Sequence, residues 1–157
     1  MGQEIERKFL VQGDSWRTNN GELVRQGYLH NEETGTVRIR TKGDKAFLTI
    51  KGKRTGITSS EFEYELPVDD ANKILDELCQ KPLIEKIRHE IHVDGMKWEI
   101  DEFLKENSDL IVAEIELENE NQKFTKPDWL GMEVSNDARY LNANLIKNPY
   151  SKWSNDQ

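Results

Sequence analysis

The stretch Gln3-Glu4-Ile5-Glu6-Arg7-Lys8-Phe9-Leu10-Val11 alternates charged and apolar side chains near the start of the 157-residue chain. At the period of two that a β-strand imposes, Glu4, Glu6 and Lys8 lie on one face, and Ile5 and Phe9 lie on the other. A half-buried strand at a protein surface could produce this pattern by itself. However, the same alternation returns several times along the chain, so we take it as the pattern that decides the fold.

Seven further segments show the alternation of a strand. They cover residues 23–30, 36–41, 46–51, 61–66, 83–93, 97–103 and 110–118. The dipeptides Gly43-Asp44 and Asp94-Gly95 fall between consecutive segments and are typical of tight turns in antiparallel hairpins. The connections are therefore short, and neighbouring segments are expected to pair with each other.

Helices are predicted in two parts of the chain. After Pro67, Asp69 or Asp70 can cap a helix that reaches about Cys79, and its apolar residues follow helical spacing. Beyond residue 119 the pattern predicts a short helix ending before Pro127 and a final helix over residues 136–146. These helices are expected to pack against the sheet.

Eight antiparallel strands are enough to close a small barrel. We therefore predict an α+β protein, an eight-stranded antiparallel β-barrel with peripheral helices, formed as one domain over residues 1–157. Only 35% of the residues are apolar and 33% are charged, so the apolar core is expected to be lean.

The composition excludes some classes of partner. The formal net charge is −8, which argues against general binding to nucleic acids or membrane surfaces because both are anionic. The lone cysteine, Cys79, allows no internal disulfide, and no leader or membrane-length apolar run is visible. We therefore expect a cytoplasmic protein with neither a nucleic-acid nor a membrane partner.

The charges are sorted by strand. Acidic sets occur at Glu4/Glu6, Glu61/Glu63/Glu65 and Glu114/Glu116/Glu118, and basic sets at Arg38/Arg40 and Lys86/Arg88. An ordinary solvated face would mix both signs on each strand. The alternative is a water-filled barrel interior lined with charge, because a dry interior could not pair so many ions. Such a bore would suit a polyphosphate held by basic side chains and by cations bound to carboxylates.

Several sequence blocks carry a family resemblance. They are Glu4-Ile5-Glu6-Arg7-Lys8, Arg38-Ile39-Arg40, Leu48-Thr49-Ile50-Lys51, Glu63-Tyr64-Glu65, Glu85-Lys86-Ile87-Arg88, Trp98-Glu99-Ile100-Asp101, Glu114-Ile115-Glu116 and Gly131-Met132-Glu133-Val134. In this order, over nearly the whole chain, they resemble the CYTH domain, also called the triphosphate tunnel metalloenzymes. The compact length is similar to the short bacterial members, which are inorganic triphosphatases.

The resemblance implies an eight-stranded tunnel that hydrolyses a triphosphate with Mg²⁺ or Mn²⁺. Phosphate oxygens would be held by basic residues, namely Lys8, Arg38, Arg40, Lys51, Lys86 and Arg88. The metal would be held by four carboxylates, namely Glu4, Glu6, Glu114 and Glu116. Glu114 or Glu116 would orient the attacking water, and Tyr28 with Lys86 would form a second catalytic pair unless Tyr28 only donates a hydrogen bond.

Inorganic tripolyphosphate is the expected substrate. Thiamine triphosphate and nucleoside triphosphates are alternatives, because the tunnel residues would contact the part that all of them share. An adenylate cyclase that makes cyclic AMP from ATP, and a noncatalytic polyphosphate-binding module, are alternatives of other kinds. The oligomeric state is left open, with a homodimer as a candidate.

Overall fold

The computed structural model describes residues 2–156, with side chains described to residue 153. These residues form nine strands: β1 Gly2–Val11, β2 Glu22–Glu32, β3 Gly35–Lys42, β4 Lys45–Gly52, β5 Thr58–Leu66, β6 Ile84–Val93, β7 Met96–Phe103, β8 Ile111–Glu116 and β9 Leu130–Glu133. The helices are α1 Val68–Glu77 and α2 Asn142–Lys147, with 3₁₀ turns at Lys105–Asn107, Ala138–Tyr140 and Tyr150–Asp156.

Strand β1 closes the barrel by changing partners along its length. Its first residues pair with β5 (Glu4 opposite Ser59), whereas the following residues pair with β8 (Lys8 opposite Glu114). The remaining strands continue the circle in the antiparallel order β8-β7-β6-β2-β3-β4-β5. The predicted eight-stranded antiparallel barrel is thus confirmed, and the unpredicted β9 adds a short pairing at the end of β1.

The two predicted hairpin turns are present. Gly43 has a φ of +58°, and the pair Asp94-Gly95 has φ values of +50° and +81°. This left-handed backbone matches the twist of antiparallel strands and suits glycine and aspartate. Each turn therefore fixes the register of its hairpin.

The predicted helices need correction. Pro67, rather than Asp69 or Asp70, occupies the position before α1, and both aspartates lie in the first turn, where a negative charge favours the helix dipole. The predicted helix over 136–146 is divided, because Leu141 has extended backbone angles between a 3₁₀ turn and α2. Residues 119–127 form turns and coil instead of a short helix.

Two apolar clusters pack on the outside of the barrel. Trp98 and Ile100, on outward positions of β7, are buried beneath Trp16 and the segment around residue 129. Ile39 of β3 is buried beneath Leu75 of α1. The outward strand faces therefore supply much of the core, as the alternation of charged and apolar residues predicts.

Helix cover is incomplete on one side of the barrel. Ile50, Phe62 and Tyr64, on the outward faces of β4 and β5, are 42%, 48% and 56% exposed. Helix α1 packs against β3 and β4 only in part. Helix α1 therefore covers one end of this pair of strands, at Ala46, Leu48 and Leu66, and leaves the other end exposed.

A third apolar cluster lies inside one end of the barrel. Ile84, Phe103 and Val112 point inward, and they pack against Leu145 of α2 and Trp153. These strand residues lie two positions from inward-facing charged residues on the same strands. The C-terminal segment therefore closes this end of the bore, and the charged interior becomes a cavity with an end wall.

Within residues 2–156, no helix has both the length and the apolar composition needed to cross a bilayer.

Candidate functional site

The bore holds a cavity of about 880 Å³ that is lined by inward side chains of the barrel and by the start of α2. All eleven residues singled out from the sequence line it. They are Glu4, Glu6, Lys8, Tyr28, Arg38, Arg40, Lys51, Lys86, Arg88, Glu114 and Glu116. The structure therefore brings together side chains from β1, β2, β3, β4, β6 and β8.

One side of the cavity, which we call the acidic wall, is formed by Glu4, Glu6, Glu99, Glu114 and Glu116. The strand register explains their proximity, because Glu6 lies opposite Glu116 and Glu99 lies opposite Glu114 on paired strands. Carboxylates facing each other in this way repel one another. The wall therefore requires cations.

Lys8 supplies one of these cations. Its Nζ lies 2.7 Å from Glu114 Oε1 and 3.6 Å from Glu6 Oε1. Burial by itself lowers the pKa of this ammonium, but the carboxylates of Glu114 and Glu6 raise the pKa of Lys8 above its ordinary value. Lys8 is therefore a permanent positive charge within the acidic wall.

Negative charge remains in excess around Glu116. Burial, and then the nearby carboxylates of Glu4, Glu6 and Glu99, raise the pKa of Glu116. In the described part of the chain, no lysine or arginine forms an ion pair with this carboxylate. A bound cation would relieve this repulsion.

The donor chemistry of the acidic wall fits a hard divalent ion, since Mg²⁺ and Mn²⁺ prefer carboxylate oxygens. Among the described residues, however, no three acidic, histidine or cysteine side chains converge closely enough to hold an ion. Glu114 instead accepts a hydrogen bond from Lys8. The carboxylates fit the ion in type, and rotation of their side chains would be needed to bind it.

The other side of the cavity, which we call the basic wall, is formed by Arg38, Arg40, Lys86 and Arg88. Strand β3, which carries Arg38 and Arg40, lies four strands around the barrel from β8. Arg38 and Arg40 therefore face the acidic wall across the bore, whereas Arg88 of β6 lies beside that wall, with its Nη1 3.3 Å from Glu99 Oε2.

Asp101 holds two cations of the basic wall. Its two carboxylate oxygens accept hydrogen bonds of 2.8 Å from Arg88 Nε and Nη2, and Oδ2 also lies 2.7 Å from Lys86 Nζ. Burial lowers the pKa of Lys86 to about 8, an effect that Asp101 only partly offsets and that Arg88 increases. One carboxylate is thus shared by two buried cations.

Arg38 and Arg40 each have an N–H donor that is not used in a hydrogen bond among the described residues. Arg40 Nη2 lies 3.2 Å from Glu63 Oε2, and Arg38 Nη2 lies 3.2 Å from Thr49 Oγ1. The Nε atoms of both arginines are buried and have no hydrogen-bond partner among the described residues. Burial, Arg38 and Arg88 lower the pKa of Arg40 to about 10. An anion in the cavity would satisfy both orphaned donors.

Lys51 and Tyr28 occupy separate parts of the cavity. Lys51 Nζ lies 2.6 Å from Glu4 Oε1 and 3.6 Å from Glu61 Oε2, so it joins the acidic wall to β5. Tyr28 lies at the closed end, where its hydroxyl oxygen accepts a 3.4 Å contact from Gln26 Nε2. Tyr28 and Lys86 are linked through Gln26 and Asn142.

Sequence reasoning gave no role to several side chains of the site. Asp101 and Glu63 lie on inward faces that the period of two identifies, so their ion pairs could have been anticipated. Arg54, whose Nη1 lies 3.5 Å from Glu6 Oε1, lies in the loop after β4. Asn142 lies on α2. Neither a loop nor a six-residue helix gives a periodic signal, so these two could not have been anticipated.

Comparisons with known proteins agree with this geometry. The CYTH domain family model matches residues 2–150. An inorganic triphosphatase of Acetivibrio thermocellus is 53% identical over 154 residues, covering 98% of this chain and 99% of that protein. An inorganic triphosphatase of Nitrosomonas europaea is 35% identical, covering 90% of this chain and 95% of that protein.

Solved structures share the fold. The crystal structure of an inorganic triphosphatase superposes with a TM-score of 0.66 at 32% identity, covering 91% of this chain and 93% of that one. A Hippeastrum protein assigned as an adenylyl cyclase, and described as having a dominant triphosphatase activity, gives a TM-score of 0.54 at 16% identity, covering 74% and 80%. The latter likeness shows the fold alone.

Proposed function

Since this chain belongs to the CYTH domain family, we propose that it is a metal-dependent triphosphatase that hydrolyses inorganic tripolyphosphate in the bore. The observation that carries this proposal is the cavity itself, in which an acidic wall in need of cations faces arginines with orphaned donors. A polyanion bound together with divalent cations satisfies both walls. The similarity to two inorganic triphosphatases supports the same substrate.

Phosphate oxygens would be bound by the six basic residues predicted from the sequence, Lys8, Arg38, Arg40, Lys51, Lys86 and Arg88. Arginine forks suit phosphate because they present parallel N–H donors, whereas a lysine ammonium acts as a point charge. The free Nε atoms of Arg38 and Arg40 would donate to the substrate. Lys86 and Arg88 would contribute the remaining charge that Asp101 does not neutralise.

The enzymes of this family are metal-dependent, and we propose Mg²⁺ or Mn²⁺ as the ion. Glu4, Glu6, Glu114 and Glu116 would hold it. When bound, the ion neutralises charge on the phosphoryl group and on the leaving phosphate. It would also relieve the repulsion that raises the pKa of Glu116.

Glu116 is the better placed of the two candidate residues for orienting water. Glu114 already accepts a hydrogen bond from Lys8, whereas Glu116 forms no ion pair in the described part of the chain. A carboxylate without an ion-pair partner can accept a hydrogen bond from the attacking water and then its proton. The water oxygen bonds to a terminal phosphorus as the bridging P–O bond breaks, Glu116 takes a proton, and pyrophosphate leaves. Tyr28 is proposed to hydrogen-bond at the closed end.

We also propose the domain organisation, cellular location and partners of the protein. We propose one domain over residues 1–157 that acts in the cytoplasm, without a nucleic-acid or membrane partner, and with a homodimer as a candidate assembly. The net charge of −8 and the single cysteine support this setting.

A substrate panel tests the proposed function. Tripolyphosphate, ATP and thiamine triphosphate are each incubated with Mg²⁺ and then with Mn²⁺, and both phosphate and cyclic AMP are measured. We expect phosphate release, fastest from tripolyphosphate and abolished by EDTA. Cyclic AMP as the main product would instead indicate a cyclase, and metal-aided binding without turnover would indicate a binding module.

A matched pair of variants connects the activity to the bore. Arg40→Ala is expected to raise the KM for tripolyphosphate about tenfold, since a charge-assisted hydrogen bond is lost. Lys73→Ala removes a positive charge from the exposed face of α1 and should leave KM unchanged. Equal KM values in the two variants would place the active site elsewhere.

A further inference from the structure

Helix α2 places one polar side chain at the closed end of the bore. The Oδ1 atom of Asn142 accepts hydrogen bonds from Lys86 Nζ at 2.9 Å and from Gln26 Nε2 at 3.2 Å. The exposure of Lys86 is 2% and that of Gln26 is 0%. Asn142 therefore contacts two buried donors on two different strands.

The chemistry of lysine fixes the orientation of both amides. Lys86 has N–H donors and no acceptor, so the atom of Asn142 that faces it must be the oxygen. The atom of Gln26 that faces this oxygen must then be its nitrogen. The same Gln26 nitrogen lies 3.4 Å from the hydroxyl oxygen of Tyr28. The hydroxyl hydrogen of Tyr28 is consequently free to point into the bore.

Asn142 also limits the directions in which the Lys86 ammonium can point. An ammonium has three N–H donors. One is directed to Asp101 and one to Asn142, which leaves one for the cavity that Lys86 lines. Asp101 supplies the charge that keeps Lys86 buried, and Asn142 supplies a second fixed direction.

The position of α2 does not depend on this side chain. Asn31 Nδ2 donates to the carbonyl oxygen of Ala143 at 2.8 Å, and Lys147 Nζ donates to the carbonyl oxygen of Asn31 at 3.1 Å. Leu145 is fully buried in the apolar cluster at the same end. The residue before the helix, Leu141, makes no side-chain capping bond, and Asn142 directs its oxygen to the bore.

We propose that Asn142 is a positioning residue, which holds the Lys86 ammonium so that its remaining N–H donor points at a phosphate oxygen in the cavity. The inference rests on the proposed function, because it assigns a phosphate to that donor. It deepens that function by giving α2 a part in the site beyond closing the barrel.

A double-mutant cycle between Asn142 and Lys86 tests the proposal. It is measured as kcat and KM for tripolyphosphate with Mg²⁺, and as the Kd for tripolyphosphate by calorimetry without added metal. Asn142→Ala is expected to lower kcat and weaken binding about tenfold in the otherwise wild-type protein. In the Lys86→Ala background the same change should cost less than about twofold, because the group that Asn142 positions is gone. Equal losses in both backgrounds would overturn the proposal.

Two further variants separate positioning from a general loss of structure. Asn142→Asp keeps an oxygen acceptor but adds negative charge to an anion site, so kcat should stay within about threefold of wild type while KM rises about tenfold. Asn148→Ala, at an exposed position just after α2, should change neither value. A kcat as low in Asn142→Asp as in Asn142→Ala would contradict positioning by the acceptor oxygen.

The two readouts keep this inference distinguishable from the proposed function. Wild-type protein that binds tripolyphosphate without releasing phosphate would contradict the triphosphatase activity. The binding cycle would still decide the role of Asn142 in that case. Wild-type protein that neither binds tripolyphosphate nor releases phosphate from it with Mg²⁺ would contradict both.

Discussion

Two buried lysines of the bore have pKa values that are shifted in opposite directions. Lys8 of β1 and Lys86 of β6 are 3% and 2% exposed, and burial penalises the charge of both. Lys8 lies between the carboxylates of Glu114 and Glu6, and its pKa is raised. Lys86 shares the single carboxylate of Asp101 with Arg88, and its pKa is lowered to about 8.

The difference shows how the cavity is prepared for two kinds of ligand. On the acidic wall lysines and arginines pair with the other carboxylates, but no ion pair with Glu116 occurs in the described part of the chain, so negative charge remains for a cation. On the basic wall four cations outnumber the three carboxylates that pair with them, Glu63, Glu99 and Asp101, so positive charge remains for an anion. If every charged side chain in the bore were paired with another, neither excess charge would remain. The bore would then be a structural core and would not bind charged ligands.

The largest expected effect comes from removing the shared carboxylate of the basic wall. Asp101→Asn removes the ion-pair partner of buried Lys86 and leaves Arg88 with Glu99, so the free energy of unfolding should fall by about 3–5 kcal/mol at neutral pH. Chemical denaturation measures this loss. Glu102→Gln, on the neighbouring outward position, breaks a partly exposed pair with Arg17, keeps an oxygen 3.4 Å from His89 Nε2, and should cost less than about 1 kcal/mol.

The effect of tripolyphosphate on stability provides a second test of the role of Asp101. Because the polyanion would replace the lost carboxylate as counter-ion, it should raise the melting temperature of Asp101→Asn more than that of wild type. If Asp101→Asn and Glu102→Gln lowered the free energy of unfolding equally, Asp101 would not be the counter-ion on which the basic wall depends.

The next effect separates activity from stability on the acidic wall. Glu116→Gln removes one charge from a group of mutually repelling carboxylates, so the protein should remain folded with no loss in melting temperature. Turnover of tripolyphosphate should fall about a hundredfold, because the residue proposed to orient water is gone. Glu118→Gln, exposed and beyond the end of β8, is the control. Full activity in Glu116→Gln would transfer that role to Glu114.

The smallest effect is a pH dependence that belongs to the basic wall. With a pKa of about 8, Lys86 loses its positive charge as pH rises through that value, whereas Lys8 keeps its charge. Tripolyphosphate binding should therefore weaken above about pH 8, by up to tenfold per pH unit. In Lys86→Arg, tripolyphosphate binding should not weaken in this pH range, since a guanidinium stays charged. If the pH dependence of binding were the same in Lys86→Arg as in wild type, another group would be responsible for it.

The period of two explains why so much of the fold and cavity could be predicted. Residues such as Arg38 and Arg40 reveal their shared face by spacing alone, and the sign sorting of whole strands indicates a lined interior. Turn dipeptides such as Asp94-Gly95 show where the strands reverse. Each of these signals is local, so it survives in a single sequence.

The remaining features depend on contacts between distant parts of the chain. The change of partner along β1 follows from barrel closure, which no local pattern records. Helix α2 has only six residues, so its periodicity cannot show that it enters the barrel. Asn142 forms its hydrogen bond with Lys86 across a separation of 56 residues in the sequence. Nothing in the sequence distinguishes this asparagine from asparagines that lie in turns.

We propose that the bore divides into an acidic wall that binds metal and a basic wall that binds phosphate. Anomalous diffraction from crystals soaked with Mn²⁺ and tripolyphosphate tests it most directly. We predict manganese peaks beside Glu4, Glu6, Glu114 and Glu116, and phosphate density against the arginines and lysines of β3 and β6. Manganese and phosphate bound outside the bore, or manganese bound at the basic wall, would contradict the account.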